Sequence, residues 1–451
     1  MKNLLALLLV FCLFSVKAAD KPNIVLFIAD DLTYWDINCY GGQAITPNLN
    51  KLASEGMKFN NFYQAVAVCA PTRMNLYTGI YPVKSGAYPQ GSFVKEGIKS
   101  LPHYLKELGY KAALHGKRHI NPLSSFPFEY LDTGKGTLEF SPVDKYLEEN
   151  KKNPFMLVVG SHETHYRWEQ GDTTQYNPDE LILPANWIDT KETRHYYQKY
   201  LAETTYLDGE VGTVIDLLKK HKLYDNTIFI FTSEQGSSFP FSKWNCYEAG
   251  VHTAFIVRWP GKVEAGSESN VISDYTNVVP TIIDILGGEI PEELDGRSFK
   301  NTLFGDENQV NEYTFSMQTT RGEPWGGDHF AIRCVRDERY TYIWNIHPYM
   351  QPEHHLTRYG DGFFNSWRNK AWKDKEANKL FLAYIKRPEY ELYDRQNDPL
   401  EMNNLAGKPE MQDIELRLHG ELHKWMKYCG DKGHDTEMEA YEHQYKKEVR
   451  Q

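Results

Sequence analysis

The sequence predicts an α/β fold: a mostly parallel central sheet flanked by helices, followed by a smaller C-terminal α+β subdomain containing an antiparallel sheet. Three observations carry this. Continuous apolar runs of strand length recur far apart in the chain, amphipathic helical stretches lie between them, and the pattern changes near residue 310 to strand-like runs around a short polar turn. Apolar runs without alternation suit strands covered on both faces, and alternation of such strands with helices implies parallel pairing.

The elements follow in order. Lys2, the apolar run Leu4 to Phe14 and the small-residue sequence Val16-Lys17-Ala18 read as a secretory signal over residues 1–18, because the run is too short to span a bilayer comfortably. Asn23 to Ala29 is the first buried strand, with Asp30-Asp31 at its end. Thr46 is placed as an N-cap with Pro47 at the first helical position, Leu49, Leu52 and Ala53 inward, and Gly56 as the stop. Pro71 suits a first helical turn, which sets Cys69 just before a helix N-terminus and Arg73 about one turn in. Ser100 to Gly109 repeats the helical plan with Leu101, Leu105 and Leu108 on one face. Phe155 to Val159 is a buried strand ending at Gly160-Ser161-His162. Leu207, Val211, Val214 and Leu218 recur at helical spacing, and Lys219-Lys220 complement that helix's C-terminus. Asn226 to Ser233 is a further buried strand, followed by Glu234-Gln235-Gly236. Phe330 to Arg336 and Arg339 to Trp344 form a hairpin around Asp337-Glu338, and the tail from Pro409 is helical in period. The expected division is residues 1–18, a larger domain over 19–310 and a subdomain over 311–451.

Composition narrows the function. The chain has 451 residues and a net charge of −11 with no long basic run, which argues against nucleic-acid binding. No later stretch is long and apolar enough to span a membrane. Of six cysteines, Cys12 falls in the signal. Cys39, Cys246, Cys334 and Cys429 are widely spaced without a C-x-x-C pair, which disfavours zinc and leaves room for one or two disulfides of unreadable pairing. No Asn-x-Ser/Thr sequon occurs, so an exported bacterial protein, periplasmic or secreted, fits better than a eukaryotic secreted one.

Chemistry concentrates at strand ends. Asp30, Asp31, Glu234 and Gln235 offer hard oxygen ligands suited to Ca²⁺ or Mg²⁺, and sites in parallel sheets form beyond the carboxyl ends of strands. Cys69 and Arg73 combine a nucleophile with an anion-favouring helix N-terminus. Lys117 and His119, His162 and His165, and Lys243 add positive charge and proton-transfer groups. Taken singly, each has an ordinary structural reading: a solvated turn, a helix cap or an exposed basic loop.

Together they resemble the formylglycine-dependent (type I) sulfatases of the alkaline phosphatase superfamily. Cys69-Ala70-Pro71-Thr72-Arg73, with Thr78-Gly79 beyond it, is similar to that family's maturation signature. The resemblance implies that a formylglycine-generating or sulfatase-maturating enzyme converts Cys69 to formylglycine (3-oxoalanine), whose hydrate is the nucleophile. It implies Ca²⁺, or Mg²⁺, on Asp30, Asp31, position 69, Glu234 and Gln235, with Glu234 standing where the family carries aspartate. Leu114 to His119 looks like the family's Gly-Lys-Trp-His segment, with Arg118 replacing tryptophan. Lys117 then binds sulfate, and His119 helps to collapse the covalent intermediate. Ser161 to His165 looks like the strand followed by Pro-His, with Thr164 for proline; His165 is the leaving-group acid and His162 the weaker competitor. Lys243-x-x-x-Tyr247-Glu248-x-Gly250 resembles a further family segment, which implies that Lys243 contacts the sulfate. Arg258 to Gly261, Asp295 to Ser298 and Glu391 to Leu405 match weaker landmarks, so the resemblance runs from about residue 22 to 406.

The implied activity is hydrolysis of sulfate esters in a sulfated polysaccharide or its oligosaccharides. The version Ser233-Glu234-Gln235-Gly236…Phe239-Pro240-Phe241 resembles marine bacterial enzymes acting on algal glycans such as ulvan. The closest alternative is a phosphate or phosphonate monoester hydrolase of the same superfamily; a different class is an inactive glycan-binding protein on this fold. Arg167, Trp168, His252, Arg321 and His354-His355 are candidate sugar contacts.

Overall fold

The centre of the molecule is a strand whose two faces lie in different cores. In the computed structural model, which describes residues 21–306, 308–321, 327, 329–354 and 362–444, β1 (Asn23–Ala29) is buried along its whole length. Val25, Phe27 and Ala29 enter one core, and Ile24, Leu26 and Ile28 the other. This double burial is why the strand reads as an unbroken apolar run. The signal assigned to residues 1–18 lies outside the described residues.

The remaining strands of the N-terminal region are β2 (Met57–Phe59), β3 (Phe62–Tyr63), β4 (Lys111–Gly116), β5 (Glu129–Tyr130), β6 (Phe155–Gly160), β7 (Thr227–Ser233), β8 (Phe255–Arg258), β9 (Ser267–Ser269) and β10 (Ser273–Asp274). The main sheet is eight-stranded in the order β5-β4-β6-β1-β7-β8-β2-β9. β5 through β7 in that order are parallel, whereas β8 runs antiparallel to β7 and β2. The helix Lys191–Lys220 covers one face through Leu207, Val211, Val214 and Leu218. The helices Cys69–Thr78, Leu101–Glu107 and Val278–Ile285 cover the other.

β11 (Thr314–Gln318), β12 (Ile332–Arg336), β13 (Tyr340–Asn345) and β14 (Tyr390–Asp394) form a separate four-stranded antiparallel sheet in chain order. The helix Gln412–Cys429 adds Leu418, Leu422, Trp425 and Met426 to the same core as Val335 and Tyr342. This sheet also braces the first. Met317 N–H donates to Ala65 O at 2.8 Å, and Glu391 Oε2 accepts the Tyr247 hydroxyl at 2.7 Å.

The helix Pro47–Ser54 stops with Glu55 as its C-cap and Gly56 directly after it, where a Cβ would also strike Val257 O. Two local expectations are corrected. Cys69 is the first residue of its helix, with Val68 as cap and Pro71 in third position. Cys39, Cys69, Cys246, Cys334 and Cys429 are all unpaired, so no disulfide joins them. Among the described residues no helix is long and apolar enough to cross a membrane.

Candidate active site

Parallel pairing of β1 with β7 sets Ala29 opposite Ser233. Asp30-Asp31 and Glu234-Gln235 therefore leave the sheet side by side, joined where Glu234 N–H donates to Ala29 O at 2.9 Å. Asp31 takes a left-handed φ of 52°, a conformation that residues with a Cβ seldom adopt. The helix Cys69–Thr78 brings its first residue to the same place. Ligand atoms of Asp30, Asp31, Cys69 and Glu234 all lie within 4.8 Å of one another, and these residues and Gln235 are at most 1% exposed.

Cations interleave with the carboxylates. Lys117 Nζ binds Asp30 Oδ2 and lies 3.6 Å from Glu234 Oε2. Lys243 Nζ donates to Asp31 Oδ2 at 2.7 Å. Arg73 pairs with Glu234 through Nε, and its Nη1 donates to Lys117 O at 2.9 Å. Gln235 Nε2 donates to Asp31 Oδ1 and lies 3.7 Å from Cys69 Sγ. Gly160 at the end of β6 makes room for this: a Cβ there would sit 2.7 Å from Arg73 Nη1 and 2.6 Å from Lys117 O.

Asp30 Oδ1, Glu234 Oε2 and Gln235 Oε1 are nevertheless buried without a hydrogen-bond partner. Buried oxygens left unpaired are costly, and a hard divalent cation offsets that cost by taking them as ligands. The donor set therefore fits such a cation.

The electrostatics follow from burial set against charge. For Asp30, desolvation is outweighed by Lys117, with His165 and Lys243 adding to it, and the carboxyl is held below its usual range. For Asp31, burial wins over Lys243 and the group is raised. Burial alone would raise the Cys69 thiol, but Lys117 and Lys243 overcome it and, with His119 nearby, hold it well below normal. Burial would lower Lys243, yet Asp31 and Cys69 raise it.

The two candidate histidines differ. Burial and Lys117 push His162 down to about 4, so its ring is neutral. His165 is exposed, with Nε2 3.8 Å from Asp31 Oδ2. Partial loss of water around the ring and Lys243 oppose its charged form, but Asp31, Asp30 and Cys69 prevail and its pKa is raised.

The structure thus brings together every residue that the sequence singled out for the site: Asp30, Asp31, Cys69, Arg73, Lys117, His119, His165, Glu234, Gln235 and Lys243. It adds two. Ser238 Oγ donates to Asp31 Oδ2 at 3.0 Å, and its place next to the Glu234-Gln235 pair was a usable signal. Gln90 Oε1 accepts the Ala70 N–H at 3.3 Å, which turns Nε2 toward Cys69 Sγ at 4.0 Å; nothing in its local sequence marks it.

Three sugar-contact candidates are corrected. Trp168 is buried and stacked on Phe239 at 4.8 Å. His252 is buried against Tyr34 at 3.6 Å, with Glu248 on Nδ1 at 2.7 Å. His354 is buried between Trp244 and the Tyr384 hydroxyl. Arg167 is exposed beside His165, Arg321 lies over the Tyr441 ring at 4.5 Å, and His355 falls outside the described residues.

The fold and the site have known relatives. The Sulfatase family model matches residues 22–141 and 137–288, and that of the N-sulphoglucosamine sulphohydrolase C-terminal region matches 236–354 and 368–428. An ulvan-active sulfatase of Formosa agariphila is 33% identical over 92% of this chain and 82% of its own length. Human N-sulphoglucosamine sulphohydrolase is 24% identical over 93% and 92%. A solved structure of a protein in complex with its substrate D-glucosamine-2-N,6-O-disulfate superposes with a TM-score of 0.71 at 21% identity, covering 91% of this chain and 99% of that one. The chain belongs to the sulfatase family. Its class is sulfuric ester hydrolase.

Proposed function

We propose that this protein is an exported enzyme that removes sulfate from a sulfated polysaccharide or its oligosaccharides, ulvan being the first candidate, with formylglycine at position 69 and Ca²⁺ beside it. The observation that carries the reading is the convergence of Cys69, the acidic cluster and the Lys117–Lys243 pair at the carboxyl ends of parallel strands. The ulvan assignment rests on the 33% identical relative and on the Glu234 version of the motif. Export rests on the character of residues 1–18.

Formylglycine would supply a hydrated aldehyde hydroxyl for attack on sulfur. A cation held by Asp30, Asp31, Glu234, Gln235 and position 69 would supply positive charge there. The chain's own groups do the rest. Lys117 and Lys243 flank position 69 and receive the sulfate oxygens, where fixed cations in a buried setting stabilise developing charge. Arg73 fixes Glu234 and the Lys117 carbonyl. His165, exposed and with its charged form favoured by Asp31 and Asp30, gives its proton to the departing sugar oxygen. His119, beside position 69, accepts the proton lost there when sulfate is expelled.

The test is inorganic sulfate release by matured enzyme from a panel of ulvan, carrageenan and glycosaminoglycan oligosaccharides. Release from ulvan fragments alone supports the proposal. Release confined to another glycan overturns the ulvan assignment, and release from none overturns the polysaccharide reading.

A further inference from the structure

The helix Lys191–Lys220 buries three acids: Asp208 caps the helix Pro47–Ser54, and the other two are Glu203 at 0% and Glu210 at 5% exposure. These two share the buried face with Leu207, Val211 and Val214, where an apolar side chain would be the inexpensive choice. A carboxyl persists in such a position when it is paired, and both pair with one loop. Glu210 Oε2 accepts the Ser161 hydroxyl at 2.6 Å, and Ser161 Oγ in turn accepts the Glu163 N–H at 2.9 Å. Glu203 Oε2 accepts the N–H groups of Glu169 at 2.7 Å and Gln170 at 3.0 Å. Gly171 then seats the chain directly on the helix, since a Cβ there would strike Ala202 O.

Between the two grips the loop is tied to the site. Asp30 N–H donates to Glu163 O at 2.8 Å, Thr164 Oγ1 donates to Asp31 O at 3.0 Å, and Trp168 Nε1 donates to Thr164 O at 2.9 Å. His165 stands at the middle of this segment, 3.8 Å from Asp31.

We propose that Glu203 and Glu210 are positioning residues that clamp both ends of the 161–170 loop and thereby set where His165 meets the leaving group. The inference rests on His165 being the leaving-group acid. Burial, with Glu163 beside it, pushes Glu203 up to about 9, and burial pushes Glu210 up to about 8. Both carboxyls are therefore neutral near pH 7, and glutamine is a close substitute.

The experiment is a double-mutant cycle on the matured full chain, reading sulfate release from the best substrate. His165→Asn alone should lower kcat about 100-fold or more, the usual worth of a positioned acid. Glu203→Ala and Glu210→Ala should each lower kcat roughly tenfold or more while KM stays within about threefold. Glu203→Gln and Glu210→Gln should restore most of kcat. In the His165→Asn background, Glu203→Ala should cost almost nothing further, because coupled residues are non-additive. Ser161→Ala, which cuts the Glu210 grip from the loop side, serves if an alanine variant fails to fold. Loss of kcat in Glu203→Ala that is equally large with and without His165 overturns the clamp. An unaffected kcat in His165→Asn overturns the acid assignment instead.

Discussion

At position 234 the glutamate side chain serves two partners at once. Its Oε1 holds Arg73, while Oε2 stays buried without a hydrogen bond, 3.6 Å from Lys117 Nζ. The methylene by which it exceeds aspartate supplies that reach. Ca²⁺ should raise the melting temperature of the parent, since a ligand bound only by the folded state stabilises it. Glu234→Ala should abolish most of that rise, measured by calcium titration of thermal unfolding; an undiminished rise removes Glu234 from the ligand set. Gly160→Ala acts from the other side. Its Cβ would crowd Arg73 Nη1 and Lys117 O, and the expected cost is about 1–3 kcal/mol of stability with at least a tenfold drop in turnover. Unchanged kinetics would show that the Arg73 geometry is not tight. At this scale the chemical residues were legible because each belongs to a short run at a strand or helix end. Gln90 was not, because its contact with position 69 is purely tertiary. Trp168, His252 and His354 were misread for a related reason: a polar or aromatic residue in a loop does not reveal which way it faces, and all three face inward.

Among the elements, the long strands buried on both faces were plain in the sequence and the short strands were not. β2, β8 and β9 are three to four residues long, too short for a period to register. The helix Pro47–Ser54 shows a second limit. Thr46 makes no side-chain cap bond; the first N–H groups are taken instead by Asp208, from Asn48 at 3.0 Å and Leu49 at 2.8 Å. A cap donated from a distant helix cannot be seen locally. The helix Lys191–Lys220 was legible through its apolar spacing but not through its buried acids, which break that pattern so that Asp208 caps a neighbouring helix and Glu203 and Glu210 hold the 161–170 loop. Leu207, fully buried on the same face, should cost about 2–5 kcal/mol when replaced by alanine. Urea unfolding measures this, and a cost under about 1 kcal/mol would mean that the face repacks around the cavity.

For the molecule as a whole, buried carboxyls shape stability. Burial raises Asp36 to about 7, Asp274 to about 6, Glu210 to about 8 and Glu203 to about 9. A carboxyl raised above its unfolded value binds an extra proton in the folded state between the two values. Its contribution is complete below the unfolded pKa and is lost as pH rises through the folded one. The melting temperature at saturating Ca²⁺ should therefore fall between about pH 5 and pH 9. Asp36→Asn keeps an acceptor for the Tyr197 hydroxyl and should flatten the part of the fall near pH 7; an identical slope would place the loss elsewhere. The central claim concerns position 69, where a cysteine at the head of a buried helix faces clustered carboxylates and lysines. The most direct test is to prepare enzyme at several degrees of maturation, quantify the aldehyde at position 69 by mass spectrometry and measure sulfate release on the same samples. Turnover should scale in proportion to the aldehyde and vanish in Cys69→Ala. Full turnover by protein that retains the thiol would contradict the account.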